Sequence, residues 1–173
     1  MVICTNFNTK LTAGLIVETE AYKGIDDKAS HAYKNKKTTK NNSMYLNGGS
    51  VYIYKCYGIH NLLNIVTSDA GSPDAILIRA IEPLHGIDVM KLRTNKTKKL
   101  DIGSGPGKLS KALGITLSID GLPLGDKIWI EEYLSSKKIC IIKKPRIGVS
   151  YAGEDAKLLR RFYISNNKYI SKK

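Results

Sequence analysis

The run Val51–Asn64, VYIYKCYGIHNLLN, constrains the fold of this chain more than any other stretch. It reads as two short strands joined at a tight turn that holds Tyr57-Gly58. Strand side chains alternate between faces, so Tyr52 and Tyr54 share one face while Val51 and Ile53 take the other. The pattern predicts a stiff hairpin carrying exposed aromatics. Such a hairpin can be a core element, a dimer contact or a wedge into stacked bases, and the rest of the chain has to decide.

Further strands surround it. Leu11–Tyr22, LTAGLIVETEAY, passes from an apolar run into alternation that sets Glu18, Glu20 and Tyr22 on one face. Carboxylates inside a strand face water or serve a site. Ala75–Ile81, AILIRAI, reads as a buried strand whose Arg79 points into a site or a structural ion pair, with Glu82-Pro83 ending it. KIWIEEY (127–133), ICII (139–142) and the Arg160–Ile164 segment complete a mostly antiparallel set. Gly103–Gly114, GSGPGKLSKALG, frames a helix, with Pro106 at its first position and Gly114 as its stop. Leu84–Leu92 is a second, loosely periodic helix candidate. Lys23–Ser50 is polar and weakly periodic, so it reads as loop with a short helix near Asp26–His31. Its lysines suit either phosphate contact or a solvated, mobile loop. The terminal SNNKYISKK reads as frayed. The expected fold class is α+β: one domain over residues 1–173, a mixed and mostly antiparallel sheet, flanking helices and a protruding β-hairpin.

Charge narrows the partners. The 173 residues hold 28 Lys and Arg against 15 Asp and Glu, a formal net charge of +13. Such a field draws polyanions, nucleic acid first, although a merely solvated basic surface also accounts for it. No stretch approaches the ~18 apolar residues of a membrane helix. Three cysteines without CxxC spacing fit a reducing compartment better than a disulfide framework. His31, His60 and His85 show no metal-site spacing, so no metal and no cofactor are expected. GSGPGKLS fails as a Walker A motif, since Ile102 and Leu109 stand where Gly and Ser/Thr are required, and it fails as GxGxxG. A backbone contact to phosphate survives there, beside the reading of an ordinary capped helix.

A carboxylate, an arginine, a histidine and several tyrosines in a basic surround form a possible toolkit for hydrolysis at a sugar carbon of nucleic acid. The carboxylate can activate water and the arginine can hold it. Aromatics can sandwich a flipped base while an inserted side chain fills its gap.

At this point the chain resembles a known family. Ile16–Tyr22 looks like the IVETEAY signature of the alkyladenine (3-methyladenine, methylpurine type) DNA glycosylases. The resemblance continues at His31, and in Val51–Tyr54 with Tyr57-Gly58 and Asn64. It resumes in Leu77–Leu84, Ser104–Leu109, Arg146–Val149 with Ala152–Glu154, and Arg161–Tyr163. The blocks keep the family's order across nearly the whole chain.

The resemblance implies a DNA repair enzyme that removes alkylated or deaminated purines from damaged duplex DNA. Glu20 matches the general base and Arg79 its water-holding partner, with a backbone carbonyl of Ile147–Val149 as third contact. Tyr22, His31 and Tyr54 match residues that stack on or touch the flipped base. Asn64 matches the residue that discriminates against the guanine amino group, and Tyr57 the inserted side chain. Tyr52 reads as support for Tyr54, and Ser104, Gly105 and Lys108 as backbone-contacting positions. An alkylated purine already leaves well, so one carboxylate suffices where a glycosidase needs two. The implied enzyme is monofunctional. With no oligomer signal in the sequence a monomer is expected, in the cytoplasm at a bacterial nucleoid or in a eukaryotic nucleus. The alternative is a non-catalytic basic nucleic-acid-binding module. Two departures stand out. Only Met1–Leu15 precede the signature, so the family's N-terminal helix is expected to be missing. Thr38–Met44 keeps only Lys40 and Asn41 of a TPRN-like segment.

Overall fold

The computed structural model describes residues 1–135 and 138–172. The Leu11–Tyr22 alternation becomes its central strand, β2, here with β1 before it: β1 spans Val2–Phe7 and β2 spans Lys10–Lys23. β3 (Val51–Cys56) and β4 (His60–Val66) form the hairpin, and β5 (Asp74–His85) lies beside β4. β5 covers one edge of β2 along Ala13–Lys23. The other edge is shared. β1 pairs with Lys10–Leu15, and β8 (Arg161–Ile164) pairs with Glu18–Glu20. β6 (Ile128–Glu131) adds to β1, and β7 (Ile141–Lys144) adds to β8. The eight strands form one sheet in which every pairing among the described residues is antiparallel.

Helices close one side. α1 spans Ile87–Thr94, α2 Leu100–Gly103 and α3 Pro106–Leu113. α3 starts on Pro106 and stops at Gly114, whose left-handed φ of 76° lets its N–H close onto the carbonyls of Ser110 and Lys111. Its apolar stripe of Leu109, Ala112 and Leu113 packs with Ile53, Leu63, Ile78 and Ile81 of the sheet. Each buried leucine there contributes about 1.5–3 kcal/mol of transfer free energy. α2 sits so close to β5 that a Cβ on Gly103 would fall 2.1 Å from the Ile81 carbonyl oxygen, which only glycine avoids. The opposite face carries a second cluster, Val2, Cys4, Leu15, Val17 and Tyr169, and a third packs Tyr52 with Met44 and Tyr45.

The α+β architecture and the protruding hairpin follow the sequence reading; several local expectations do not. Pro83 does not end its strand, because it sits opposite Gly14 where the β2 register shifts and no ladder bond is required of it. The helix after it accordingly starts at Ile87. No α-helix forms over Asp26–His31; a single 3-10 turn occupies Gly24–Asp26. There the Asp27 carboxylate takes the N–H groups of Lys23 and Ala29, which a helix would have needed. Tyr52 is not an exposed aromatic: it is 2% exposed, because Met44 and Tyr45 of the long loop cover it. The terminal segment is not frayed. Tyr169 is buried, Asn167 donates to Glu82, and the Ser171 N–H donates to Glu18.

Candidate active site

The register builds the site. Tyr52 faces Asn64 across the hairpin, Asn64 faces Leu77 on β5, and Leu77 faces Glu20 on β2. Residues opposite each other in an antiparallel ladder project from the same face. The hairpin aromatics, Asn64 and Glu20 therefore share one face, at strand spacings of roughly 5 Å. Arg79 lies two residues beyond Leu77 and returns to that face.

A cavity of about 310 Å³ opens on this face, within the range of roughly 300–1,000 Å³ for small-ligand pockets. Tyr22, His31, Tyr54, Asn64 and Arg79 line it, Tyr57 stands at its rim, and Pro106 brings the start of α3 to it. Met44 and Tyr151 also line it; neither carries a sequence signal for such a role.

Glu20 lies beneath the cavity and is fully buried. Its Oε2 accepts from the Tyr22 hydroxyl at 2.9 Å and from Arg79 Nη1 at 3.1 Å, and its Oε1 accepts the Ile147 N–H at 2.7 Å. The Ile147–Val149 stretch thus reaches Glu20 through an N–H group. An ionised carboxylate offers about four acceptor positions. Three are used, which leaves room for one more donor. Burial and the Glu20 charge push the Tyr22 phenol well above its ordinary pKa, so it stays a donor.

The wall is aromatic and neutral. Tyr52 and Tyr54 stack at 5.8 Å, and His31 meets Tyr54 edge-on at 4.5 Å. His31 Nδ1 is 2.7 Å from the Tyr52 hydroxyl, and desolvation lowers the imidazole pKa, which favours the neutral ring. Burial raises both Tyr52 and Tyr54. Asn41 explains the order of the loop carrying His31. Its amide donates to the carbonyls of His31 and Lys36, and its oxygen accepts from Thr38. Asn64 spends both amide hydrogens on the Tyr52 and Leu62 carbonyls, so it cannot swing out of the way.

Two groups missed in the sequence hold Tyr22 and Ile147 in place. Arg146 and Asp27 form a buried pair, with Arg146 also donating to the Ala21 and Asp155 carbonyls. The Arg146 guanidinium lies 4.8 Å from the centre of the Tyr22 ring. Burial alone would raise Asp27, but the Arg146 hydrogen bonds and two backbone N–H groups outweigh it and hold the carboxyl below its ordinary range. A partner 119 residues away leaves no spacing to read.

The hairpin tip stands apart. Tyr57 (φ 51°) and Gly58 (φ 72°) both take the left-handed conformation of a type I′ turn, closed by Ile59 N–H to the Cys56 carbonyl. Tyr57 is 92% exposed and Ile59 73%. The turn is braced from α3: a Cβ on Gly107 would sit 2.8 Å from the His60 ring. Ser104 bridges back to Ala80, next to Arg79, and its hydroxyl caps the Leu100 carbonyl. Gly105 precedes α3 with φ 133°, and Lys108 is exposed on the first turn. Tyr22, His31, Tyr54, Tyr57, Asn64 and Arg79 thus line one cavity and Glu20 bonds to two of them, whereas Ser104, Gly105 and Lys108 are not among its described lining residues. Among the described residues no group of three His, Cys, Asp or Glu side chains is placed to hold a metal ion.

Known proteins share this pattern. A family model, methylpurine-DNA glycosylase, matches residues 1–168. A Clostridium novyi protein is 43% identical over 99% of this chain and 89% of its own length. A Chlamydia abortus protein is 45% identical over 94% of this chain and 86% of its own length. One from Prosthecochloris aestuarii is 46% identical over 92% and 75%. Each is named "Putative 3-methyladenine DNA glycosylase". With the match spanning nearly every residue that builds the cavity, the chain belongs to the methylpurine-DNA glycosylase family.

Proposed function

We propose that this protein is a monofunctional DNA glycosylase that hydrolyses the N-glycosidic bond of alkylated or deaminated purines, 3-methyladenine among them, in duplex DNA. The observation that carries the proposal is the fully buried Glu20 beneath an aromatic cavity, with one acceptor position uncommitted.

A target base is far too enclosed in a duplex to reach such a cavity, so it must be flipped out of the stack. Tyr57, exposed at the hairpin tip, suits insertion into the gap. The flipped purine then lies between Tyr22, His31 and Tyr54. Their faces are electron-rich and uncharged, which suits a cationic alkylpurine. Water bound to the free position of Glu20 attacks C1′ of the sugar. The C1′–N electron pair returns to the base, and the water proton passes to Glu20. A cationic base departs neutral by this step alone; a neutral base such as hypoxanthine departs as its anion and takes a proton from solvent. Arg79 keeps the carboxylate aimed and offsets its charge. The fixed Asn64 amide resists a purine bearing an additional exocyclic amino group. No lysine is among the described cavity-lining residues, which supports attack by water over a Schiff base. The +13 charge supplies salt-dependent DNA affinity, and the protein acts as a monomer on the duplex.

The test is single-turnover release of hypoxanthine, ethenoadenine and methylated purines from a duplex. Wild type should release at least one of them. Absence of release from every lesion, with DNA binding intact, would favour a binding module instead.

A further inference from the structure

Two residues before Glu20, the proposed reaction leaves a second buried carboxylate unused. Glu18 is 1% exposed. Its Oε1 accepts from Arg161 Nη1 at 2.8 Å and lies 3.4 Å from Arg79 Nε. Its Oε2 accepts the backbone N–H of Ser171. Arg161 also donates to the carbonyls of Pro145 and Lys172, and the Ser171 hydroxyl lies 3.4 Å from Arg79 Nη2. The guanidinium of Arg79 is therefore held on two sides. Nη1 donates to Glu20 and Nη2 to Ser171, while Nε faces Glu18 across an ion-pair distance of 3.4 Å without a hydrogen bond.

A guanidinium is a planar fork, so contacts on two edges fix its plane as well as its position. Glu20 alone would leave Arg79 free to pivot about Nη1. The set carries two carboxylates and two guanidiniums and is neutral, as a buried cluster must be. Neutrality alone would not require the cluster to converge on a residue that lines the cavity. Nor would it require the chain after β8 to cross the sheet and place a backbone N–H on Glu18.

We infer that Glu18, held by Arg161 and by the segment 165–172, is a positioning residue that orients Arg79 against Glu20 for base release. The inference rests on the proposed glycosylase activity for its catalytic consequence, though not for its geometry. It assigns a role to a terminal segment that makes no contact with the cavity.

Glu18→Gln and Ser171→Pro test it in the full chain. The first removes the charge; the second removes the N–H donor to Glu18 together with the hydroxyl on Arg79 Nη2, and Ser171→Ala, which keeps the N–H, isolates the hydroxyl's share. Three readouts are needed. At saturating enzyme, the single-turnover rate on a hypoxanthine duplex should fall by about tenfold or more in both variants. Affinity for the same duplex carrying a tetrahydrofuran site should change by less than about twofold. The Arg79 Nε–H resonance, assigned by its loss in Arg79→Gln, should shift in Glu18→Gln, because the carboxylate 3.4 Å from Nε is then neutral. In an Arg79→Gln background, Glu18→Gln should cost no more than about a further twofold, since Glu18 acts through Arg79. Unchanged release in folded Glu18→Gln, or losses that multiply in the double variant, would overturn the inference. If Glu18→Gln does not fold, Ser171→Pro decides by the same criteria. If wild type releases no base, the glycosylase reading fails on its own. The Arg79 Nε–H resonance then still decides whether Glu18 orients Arg79, and an unmoved resonance in Glu18→Gln overturns it.

Discussion

Replacing Arg146 by Met should both destabilise the protein and slow base release. The Arg146 side chain is fully buried, as is that of Asp27. The pair is two-pronged, with Nη2–Oδ1 at 2.8 Å, and Arg146 adds bonds to the Ala21 and Asp155 carbonyls at 3.0 and 3.1 Å. Removing one partner of a buried pair costs about 3–5 kcal/mol, because the remaining charge is stranded. Arg160 contacts the same Asp27 oxygen at 2.9 Å but is partly exposed, so it compensates in part. The expected loss is therefore near ~3 kcal/mol, the lower end of that range. In a domain of this size ~1 kcal/mol shifts Tm by about 2–4 °C, so Tm should drop by about 6–12 °C. Release should fall as well, because Arg146 anchors Ile147, whose N–H holds Glu20. Differential scanning calorimetry and urea titration measure the stability term. Asp27→Asn combined with Arg146→Met should recover part of it, since no carboxylate is then stranded and the amide oxygen still accepts a backbone N–H. A loss below ~1 kcal/mol in the single variant, or a double variant no more stable than the single, would show that no buried charge is stranded when Arg146 is lost.

Tyr57→Gly should raise Tm by a few degrees, since the position has φ 51° and a left-handed residue costs about 1–2 kcal/mol. The same change should weaken capture of a lesion far more than nonspecific DNA binding, and equal losses would argue against insertion. Asn64→Ser should open the cavity to purines with a 2-amino group, read as new release of guanine; unchanged selectivity would remove Asn64 from that role. Desolvation depresses the folded pKa of His31 below the unfolded value of about 6.5. Between those two values the unfolded chain binds a proton that the native ring refuses. Stability is thus full above pH ~6.5 and is lost as pH falls through that window. Tm should fall between pH 7 and pH 5 more steeply in wild type than in His31→Gln, and parallel curves would contradict this.

How much of the site could be read in advance depended on the range of the interaction. Period-2 alternation placed Glu20 and Tyr22 on one face and Tyr54 on the hairpin, because strand geometry converts spacing directly into direction. Pro106 and Gly114 bounded α3 through local backbone chemistry. What failed was long-range. Whether Tyr52 is exposed depends on Met44 and Tyr45 folding over it. Asp27 and Arg146 meet across 119 residues, and Ser171 reaches Glu18 across 153. None of these four residues carries a local pattern that announces its partner. Pro83 misled for a related reason: a proline is tolerated in a strand where its neighbour's register shifts, and the register belongs to Gly14 on β2.

The proposed reaction makes Glu20 its base. Single-turnover release of hypoxanthine and methylated purines with Glu20→Gln, which preserves shape and removes the charge, reads out that role. A general base contributes about 10²–10⁴-fold, so release should fall by at least ~100-fold while binding to an abasic-analogue duplex persists. Release at the wild-type rate in a folded Glu20→Gln protein would contradict the account.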